Sequence, residues 1–234
     1  MTQRTLLKRI ALSDADFDEI RNAVVDAEKN TNGEIALAIT AESSSYAFWE
    51  LFAASITTFI LLLCLLPLAP SIDAWLGTLF WNHMQWHLVG FYILVAFATM
   101  AVFYLLYNIP VVDKLVIPAG VRHCAVENRA MRHFAESGVY CTENHSGILI
   151  FVSYFEHEVK ILADIGISKK ITQDLWNLIA DEMAASLARK DVKQAFLHAV
   201  RQCGDLLAQN FPAGAVNPDE IPDGLVVLEN GAVL

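Results

Sequence analysis

Apolar residues occupy nearly every position of the chain between Glu50 and Asp113. Within this segment only Asp73 carries a formal charge, and it divides the segment into two long apolar stretches. A helix rises about 1.5 Å per residue, so residues 49–69 and 88–109 each reach about 30 Å, the thickness of a bilayer's hydrocarbon core. The pattern therefore predicts a hairpin of two membrane-spanning helices.

A buried pair of helices in a large soluble domain is the alternative interpretation of these stretches. Soluble helices present a polar face every 3.6 residues, whereas residues 51–66 offer only Ser55, Thr57 and Thr58. Their hydroxyl groups can bond back to carbonyl groups of the same helix. The remaining chain is also short for burying so much apolar surface, so membrane insertion is the preferred interpretation.

The distribution of basic residues predicts the orientation of the hairpin. The loop at residues 70–87 contains no Lys or Arg, whereas the outer flanks of the two stretches carry several: Lys29, Lys114, Arg122 and Arg129. Cytoplasmic flanks of membrane helices are enriched in these residues. We therefore expect an integral membrane protein with two spans, whose N and C termini and globular domain lie in the cytoplasm.

Periodic patterns outside the hairpin predict a helix and three strands. Ser13 is suited to cap a helix whose apolar positions recur at helical spacing. Residues 34–40 alternate between larger and smaller apolar side chains, as in a strand that is covered on both faces. Residues 147–153 form an uninterrupted apolar run that predicts a central strand, and residues 158–164 predict its antiparallel neighbour.

Three further helices are predicted after the hairpin. Residues 118–138 predict a polar helix with three apolar anchors: Val121, Met131 and Phe134. The other two helices are capped by Thr172 and begin near Asp191, and each presents an apolar stripe that can cover a sheet.

The first strand cannot bury itself alone, because an isolated strand leaves its ladder groups unpaired. We therefore predict one split α/β domain, residues 1–48 plus 112–211, in which the first two strands are parallel. Its fold class is a mixed sheet sandwiched between helices, with a two-helix transmembrane hairpin (residues 49–111) inserted after the first strand. Residues 212–234 are predicted to form an extended acidic tail that ends in a short strand at 225–228.

Composition narrows the function classes. Hydrophobic residues make up 55% of the chain, and the formal net charge is −10. This acidic balance argues against a nucleic acid as partner.

The cysteines form no CxxC pair, so no disulfide framework is expected. Neither nucleotide-binding glycine motifs nor a hydrolase nucleophile motif is present, and the scattered His and Cys residues repeat no zinc-binding spacing.

Two acids are expected near the ends of the sheet, where they are candidate metal ligands. Glu34 begins the first strand and Asp164 ends the third, while Asn144 lies shortly before the second. Carboxylates that converge at one edge suit Ca²⁺ or Mg²⁺, and Asp174 and Glu143 are further candidate ligands. The alternative is that Glu34 is a solvated strand end and that the Asp164 side chain caps the following turn.

Several short strings resemble the TPM domain family, which is named after a thylakoid lumen protein, a photosystem II repair protein and a levamisole-receptor modulator. They are TNGEI at residues 31–35, SGILIFV at 146–152, VKI at 159–161 and GI at 166–167. The resemblance spans roughly residues 13–41 and 120–211. It implies a sheet between helices, frequent membrane association, and roles in assembling or maintaining membrane complexes. Some members are described as phosphatases with acidic residues around a metal-occupied cleft.

The chain departs from the family pattern after the third strand. Many members have two glycines flanking one residue, followed by leucine, an acid and glycine, whereas residues 164–169 here read DIGISK. Asp164 replaces the first glycine and the later acid is missing, so the inherited metal site is altered.

Two functions from different classes follow from these observations. The first is a non-enzymatic accessory or scaffold module, tethered to the lipid bilayer, that supports other membrane proteins. The second is a divalent-metal-dependent phosphatase that uses Glu34 and Asp164 as ligands. A homo-oligomer is compatible with either function.

Overall fold

The structure is a computed structural model that describes four stretches of the chain: residues 3–82, 84–142, 144–214 and 220–229. The chain divides into two compact units. Residues 1–45 and 120–234 form one, called here the α/β unit, and residues 46–119 form the other, called the hairpin unit.

The described residues form helices and strands in the following order: α1 (Gln3–Ile10), α2 (Asp14–Glu28), β1 (Glu34–Thr40), α3 (Ala47–Leu65), α4 (Ala69–Leu79), α5 (Gln85–Tyr107), α6 (Pro110–Val116), α7 (Ala119–Glu136), β2 (Gly147–Ser153), β3 (Glu158–Ala163), α8 (Ile165–Ser168), α9 (Gln173–Ala188), α10 (Val192–Asn210) and β4 (Leu225–Leu228).

The α/β unit is built on a four-stranded mixed sheet with the order β3-β2-β1-β4. Strands β1 and β2 are parallel and in register from Glu34, opposite Gly147, to Thr40, opposite Ser153. Strand β3 runs antiparallel to β2, and β4 runs parallel to β1. The predicted fold class is thus confirmed: a mixed sheet is flanked by helices, and two long apolar helices follow the first strand.

The two faces of β1 are buried in different clusters. Ile35, Leu37 and Ile39 pack in the larger cluster, together with apolar side chains of α1, α2, α9 and α10. Ala36 and Ala38 face a smaller cluster to which α7 contributes. Small side chains on this second face leave room for a close helix, which is why the alternation of large and small residues predicts a strand covered on both sides.

Helix α2 begins where the sequence predicts, because its first turn is capped. The Ser13 backbone N–H donates to Asp16 Oδ2 at 2.9 Å, and the Asp16 N–H donates to Ser13 Oγ at 3.3 Å. This reciprocal pair is a capping box, which satisfies donors that the helix itself cannot. The hydrogen bonds from Ser13 also lower the pKa of Asp16.

Phe134 packs against the smaller cluster as predicted, but Met131 is not an anchor of α7. Val126 and Ala130 are its fully buried residues, whereas Met131 is 54% exposed. The helix packs on the face of β1 that carries only small side chains, so short residues make the close approach and the long Met131 side chain points to solvent. Helices α1, α4, α6 and α8 are also absent from the sequence prediction.

The hairpin unit consists mainly of α3 and α5, which pack against each other. Both are long and apolar enough to cross a membrane, and α3 continues through a short 3₁₀ turn around Pro67 into α4. The Thr57 Oγ1 lies 2.8 Å from the Tyr107 hydroxyl, and Asn108 Nδ2 donates to Glu50 Oε2 at 2.7 Å. Polar side chains therefore connect α3 to the end of α5 in addition to the apolar packing between the two helices.

Candidate functional site

The amino-terminal edge of β1 and β2 brings the two predicted acids to the same end of the sheet. Glu34 lies opposite Gly147 in the parallel ladder, and the Asp164 backbone N–H donates to the Gly147 carbonyl at 2.9 Å. Glu34 and Asp164 therefore flank the first residue of β2 on its two sides. Both residues are buried.

Close backbone packing fixes this edge. A Cβ added to Gly147 would lie 2.2 Å from the Val139 carbonyl oxygen, and one added to Gly166 would lie 2.4 Å from the carbonyl oxygen of His145. No side chain fits at these distances, so both glycines are required by the approach of neighbouring backbone. His145 itself has a φ of 48°, in the left-handed region that few non-glycine residues occupy.

Asp164 is engaged by its immediate surroundings. Its Oδ1 accepts a hydrogen bond from the Ile165 N–H at 2.6 Å, which caps the short helix α8. Its Oδ2 lies 3.1 Å from His145 Nδ1. The capping interpretation of this carboxylate therefore agrees with the structure. A metal ion bound by Asp164 would have to displace His145 or the helix cap.

Glu34 belongs to a second group of carboxyls on the other side of Gly147. Glu28, at the end of α2, accepts a hydrogen bond from the Ile35 N–H through its Oε1 at 2.7 Å. Burial, opposed by the hydrogen bond from the Ile35 N–H and helped by the nearby carboxyls of Glu34 and Asp223, raises the pKa of Glu28 to about 9. Burial thus favours the neutral form of the Glu28 carboxyl.

The proposed metal site is not assembled by the residues that the structure describes. Within residues 3–82, 84–142, 144–214 and 220–229, no three His, Cys, Asp or Glu side chains are placed to share a metal ion. Asn144 is exposed and Asp174 lies in the exposed first turn of α9, while Glu143 falls outside the described residues. The arrangement as it stands does not fit the family's metal, and the assignment of Glu34 and Asp164 as ligands stays a prediction.

The sequence analysis did not identify Glu28 or Asp223, although the position of Glu28 in the pattern of α2 indicates that it is buried. Ile20, Val24 and Glu28 follow one another at intervals of four, so Glu28 continues the buried stripe of α2. An acid on such a stripe is expected to be buried and protonated or paired. Asp223 has no comparable pattern, because it lies between a proline and a glycine in the tail.

The opposite edge of the sheet carries a buried network of two serines and an acid. Glu156 accepts hydrogen bonds from the Ser43 N–H at 3.0 Å and from Ser153 Oγ at 2.5 Å, and the two serine hydroxyl oxygens are 2.6 Å apart. All three residues are buried. The network ties the segment that leaves β1 to the β2–β3 turn, and its buried hydroxyls are placed for structure rather than for attack on a substrate.

Two cavities between described residues of the α/β unit lie away from the predicted acids. One of about 280 Å³ lies between α2 and α10, where Asp26, Arg201 and Asp205 line it. Another of about 80 Å³ lies beside Ser153 and His157. Neither cavity includes Glu34 or Asp164.

The fold and this edge define an α/β sandwich whose sheet is interrupted in sequence by an apolar hairpin. Residues 111–206 match the model of the TPM domain family, so the chain carries a TPM domain and the predicted resemblance is confirmed. The match begins in α6, after the second long apolar helix, and runs into α10.

A solved structure supports the fold. The NMR structure of the BA42 protein from the psychrophilic bacterium Bizionia argentinensis sp. nov. superimposes with a TM-score of 0.53. The two sequences are 18% identical, and the alignment covers 92% of this chain and 94% of that one. At this identity the likeness concerns the fold alone. No curated protein matches the chain.

Proposed function

We propose that the hairpin anchors this chain in a lipid bilayer, and that the TPM domain acts as an accessory or scaffold module for other membrane proteins. The observation that carries the proposal is the outward-facing apolar surface of the hairpin unit, joined in sequence to a TPM domain without an assembled metal site among its described residues.

The surface of the hairpin favours lipid over water as its surroundings. Phe59, Leu94 and Phe97 are 62%, 69% and 72% exposed, and they lie in the middle parts of α3 and α5. A core helix of a soluble domain buries such side chains, and each one left in water forgoes about 1.5–3 kcal/mol. Three hydroxyl groups on the same helices bond back to carbonyls of their own helix, among them Ser55 Oγ, which donates to the Leu51 carbonyl at 2.8 Å.

Aromatic and basic residues support an orientation with the TPM domain in the cytoplasm. Trp75, Trp81 and Trp86 are exposed around the turn between α4 and α5, where the amphipathic ring suits headgroup depth. No Lys or Arg occurs near this turn, whereas Lys114 follows α5 closely. The turn therefore faces away from the cytoplasm.

Thiol labelling tests the topology. A Ser71→Cys variant in intact cells is expected to react with an impermeant thiol reagent, because Ser71 is exposed in the first turn of α4. The native Cys124, which is exposed on α7, serves as the internal control and is expected to react only after the membrane is permeabilised. Labelling of Cys124 in intact cells would reverse the orientation, and release of the chain by alkaline carbonate would refute the anchor.

Crosslinking tests the accessory role. A photoreactive residue at Leu178, which is 57% exposed on α9, is expected to capture the same membrane protein repeatedly in intact membranes. A photoreactive residue at Phe97, which we place in lipid, is the matched control for random collisions. If the chain instead turns over phosphoesters and Asp164→Ala abolishes that turnover, the enzymatic alternative replaces the accessory role.

A further inference from the structure

One threonine in the hairpin unit differs from the other Ser and Thr residues of α3 and α5. The hydroxyls of Ser55, Thr57 and Thr99 each donate to a carbonyl of their own helix, at 2.7–2.8 Å. Thr58 is only 6% exposed, yet its Oγ1 has no hydrogen-bond partner among the described residues. A buried hydroxyl without a partner is destabilising, above all in hydrocarbon, where no water can replace the missing group.

Thr58 lines an apolar cavity of about 250 Å³ between α3 and α5, which we call the hairpin recess. Ser55 and Phe59 line it beside Thr58, and Ala96 and Phe97 line it from α5. None of the described residues that line it is charged. The Phe59 and Phe97 rings border the recess with 62% and 72% of their surface exposed. An open apolar space, two exposed rings and an unpartnered hydroxyl therefore lie together on one surface.

The recess lies at the depth of the bilayer centre if the hairpin is inserted as proposed. Thr58 is close to the middle of the span predicted at residues 49–69. Ser55, Thr58 and Leu62 follow at intervals of three and four, so they share one face of α3. Cys64 follows Ser55 by nine residues, about two and a half turns, and so lies on the opposite side of the helix.

We propose that the hairpin recess is the docking site of a second copy of this chain, an inference that rests on the proposed bilayer anchor. Two copies anchored in the same orientation hold Thr58 at the same depth. A two-fold axis along the membrane normal then brings each Thr58 next to its counterpart. Because a hydroxyl both donates and accepts, Thr58 is complementary to itself.

The chemistry of the recess favours a second hairpin over a lipid chain. An acyl chain at this depth fills apolar space but carries no hydrogen-bonding group, so it leaves Thr58 without a partner. A second copy supplies both parts of the contact, since its Phe59 ring is exposed beside its own Thr58 and the two-fold axis presents that ring to the facing recess. Small side chains such as Ser55 and Ala96 allow helices to approach closely in membranes.

Single-cysteine crosslinking in native membranes tests which face of α3 is used. The background chain carries Cys64→Ala, Cys124→Ala and Cys141→Ala, which removes the exposed thiols. Ser55→Cys in this background is expected to give a disulfide-linked dimer on mild oxidation, because position 55 lines the recess. Retaining the native Cys64 instead is the matched control, and that chain is expected to stay uncrosslinked.

Energy transfer between labelled full-length chains in phospholipid vesicles measures the contribution of the hydroxyl. Thr58→Val keeps the side-chain shape and is expected to raise the dimer dissociation constant about threefold, the effect of an average interhelical hydrogen bond. Thr57→Val is the matched control, since the Thr57 hydroxyl is already bonded within its own copy. It is expected to leave the dissociation constant unchanged, and Thr58→Ser is expected to retain the native value.

A photoreactive residue at Phe97, which borders the recess, is expected to capture a second copy and no other protein. Capture of a different protein there would assign the recess to another membrane protein and overturn the proposal. A monomer at every protein-to-lipid ratio, linkage through Cys64 but not through Ser55→Cys, or equal effects of Thr58→Val and Thr57→Val would also overturn it. Release of the chain by alkaline carbonate would refute the anchor and this proposal together, whereas a carbonate-resistant monomer would refute the docking alone.

Discussion

The two units of this chain place their apolar and polar groups in opposite ways. In the α/β unit the side chains of Ile35, Leu37 and Ile39 are at most 1% exposed. In the hairpin unit Leu94 and Leu105 are each 69% exposed, although their helix is the more apolar of the two regions. The same residue type is hidden in one unit and displayed in the other.

The difference indicates that each unit is adapted to its own solvent. Water drives apolar side chains inward, and a unit that displays them is stable only where the surroundings are apolar. Under the proposed membrane insertion, the two helices gain little from apolar burial against each other, so polar bonds and lipid contacts are expected to stabilise the hairpin unit. The predictions below test this contrast, beginning with the largest effect.

The largest effect is expected at a glycine inside the α/β unit. A Cβ at position 147 would lie 2.2 Å from a backbone oxygen, which cannot move without disturbing the start of β2. Gly147→Ala is therefore expected to lower the free energy of unfolding of the α/β unit by about 3 kcal/mol or more. Denaturant unfolding monitored by tryptophan fluorescence measures this change.

Two glycines with open surroundings provide controls for this substitution. Nothing lies within 4 Å of a Cβ built on Gly120 in α7 or on Gly90 in α5. Alanine at either position is expected to be neutral or to stabilise the helix by about 0.5–1 kcal/mol. Equal losses at all three positions would mean that the tight packing at Gly147 is not the cause.

A charge on the exposed surface of the hairpin is expected to have a free-energy cost nearly as large as that of Gly147→Ala. Leu94→Asp places a carboxylate near the middle of α5, which in a bilayer costs about 2.5–3.5 kcal/mol of insertion free energy. Membrane insertion of the second helix, measured with glycosylation reporters, is expected to fall accordingly.

The matched control is an apolar residue of the α/β unit that is also exposed. Met131 is 54% exposed on α7, so Met131→Asp is expected to change the free energy of unfolding by no more than about 0.5 kcal/mol. If Leu94→Asp is tolerated as well as Met131→Asp, the two units share one solvent and the membrane proposal fails.

The sequence predicted the strands better than it predicted the site. Residues 34–40 and 147–153 are strands with the predicted bounds, because a short apolar run between turn residues is typically buried as a strand. Helix α4 was missed since its residues lie in a segment whose apolar character carries no helical stripe. Glu28 and Asp223 come together only through the parallel docking of β4, which short-range patterns do not report.

Substitution of Asp164 distinguishes a structural role of its carboxylate from a metal-binding role. Asp164→Ala removes the cap of α8 and is expected to cost about 1 kcal/mol of unfolding free energy in the α/β unit. Asp174→Ala, on the exposed first turn of α9, is the control and should cost less. A thermal midpoint that rises with Ca²⁺ in the native chain but not in Asp164→Ala would establish a metal role.

The smallest effect is expected where one polar bond joins the two helices of the hairpin. Tyr107→Phe removes the hydroxyl that lies 2.8 Å from Thr57 Oγ1, while the Thr57 hydroxyl keeps its bond to the Ala53 carbonyl at 2.8 Å. Since interhelical hydrogen bonds in membranes contribute about 0.6 kcal/mol on average, we expect a loss of this size in the stability of the hairpin, measured by unfolding in mixed micelles. Tyr104→Phe, whose ring sits one turn earlier on α5, is the control. A loss of several kcal/mol would show that polar bonds, and not lipid-facing packing, hold the hairpin unit together.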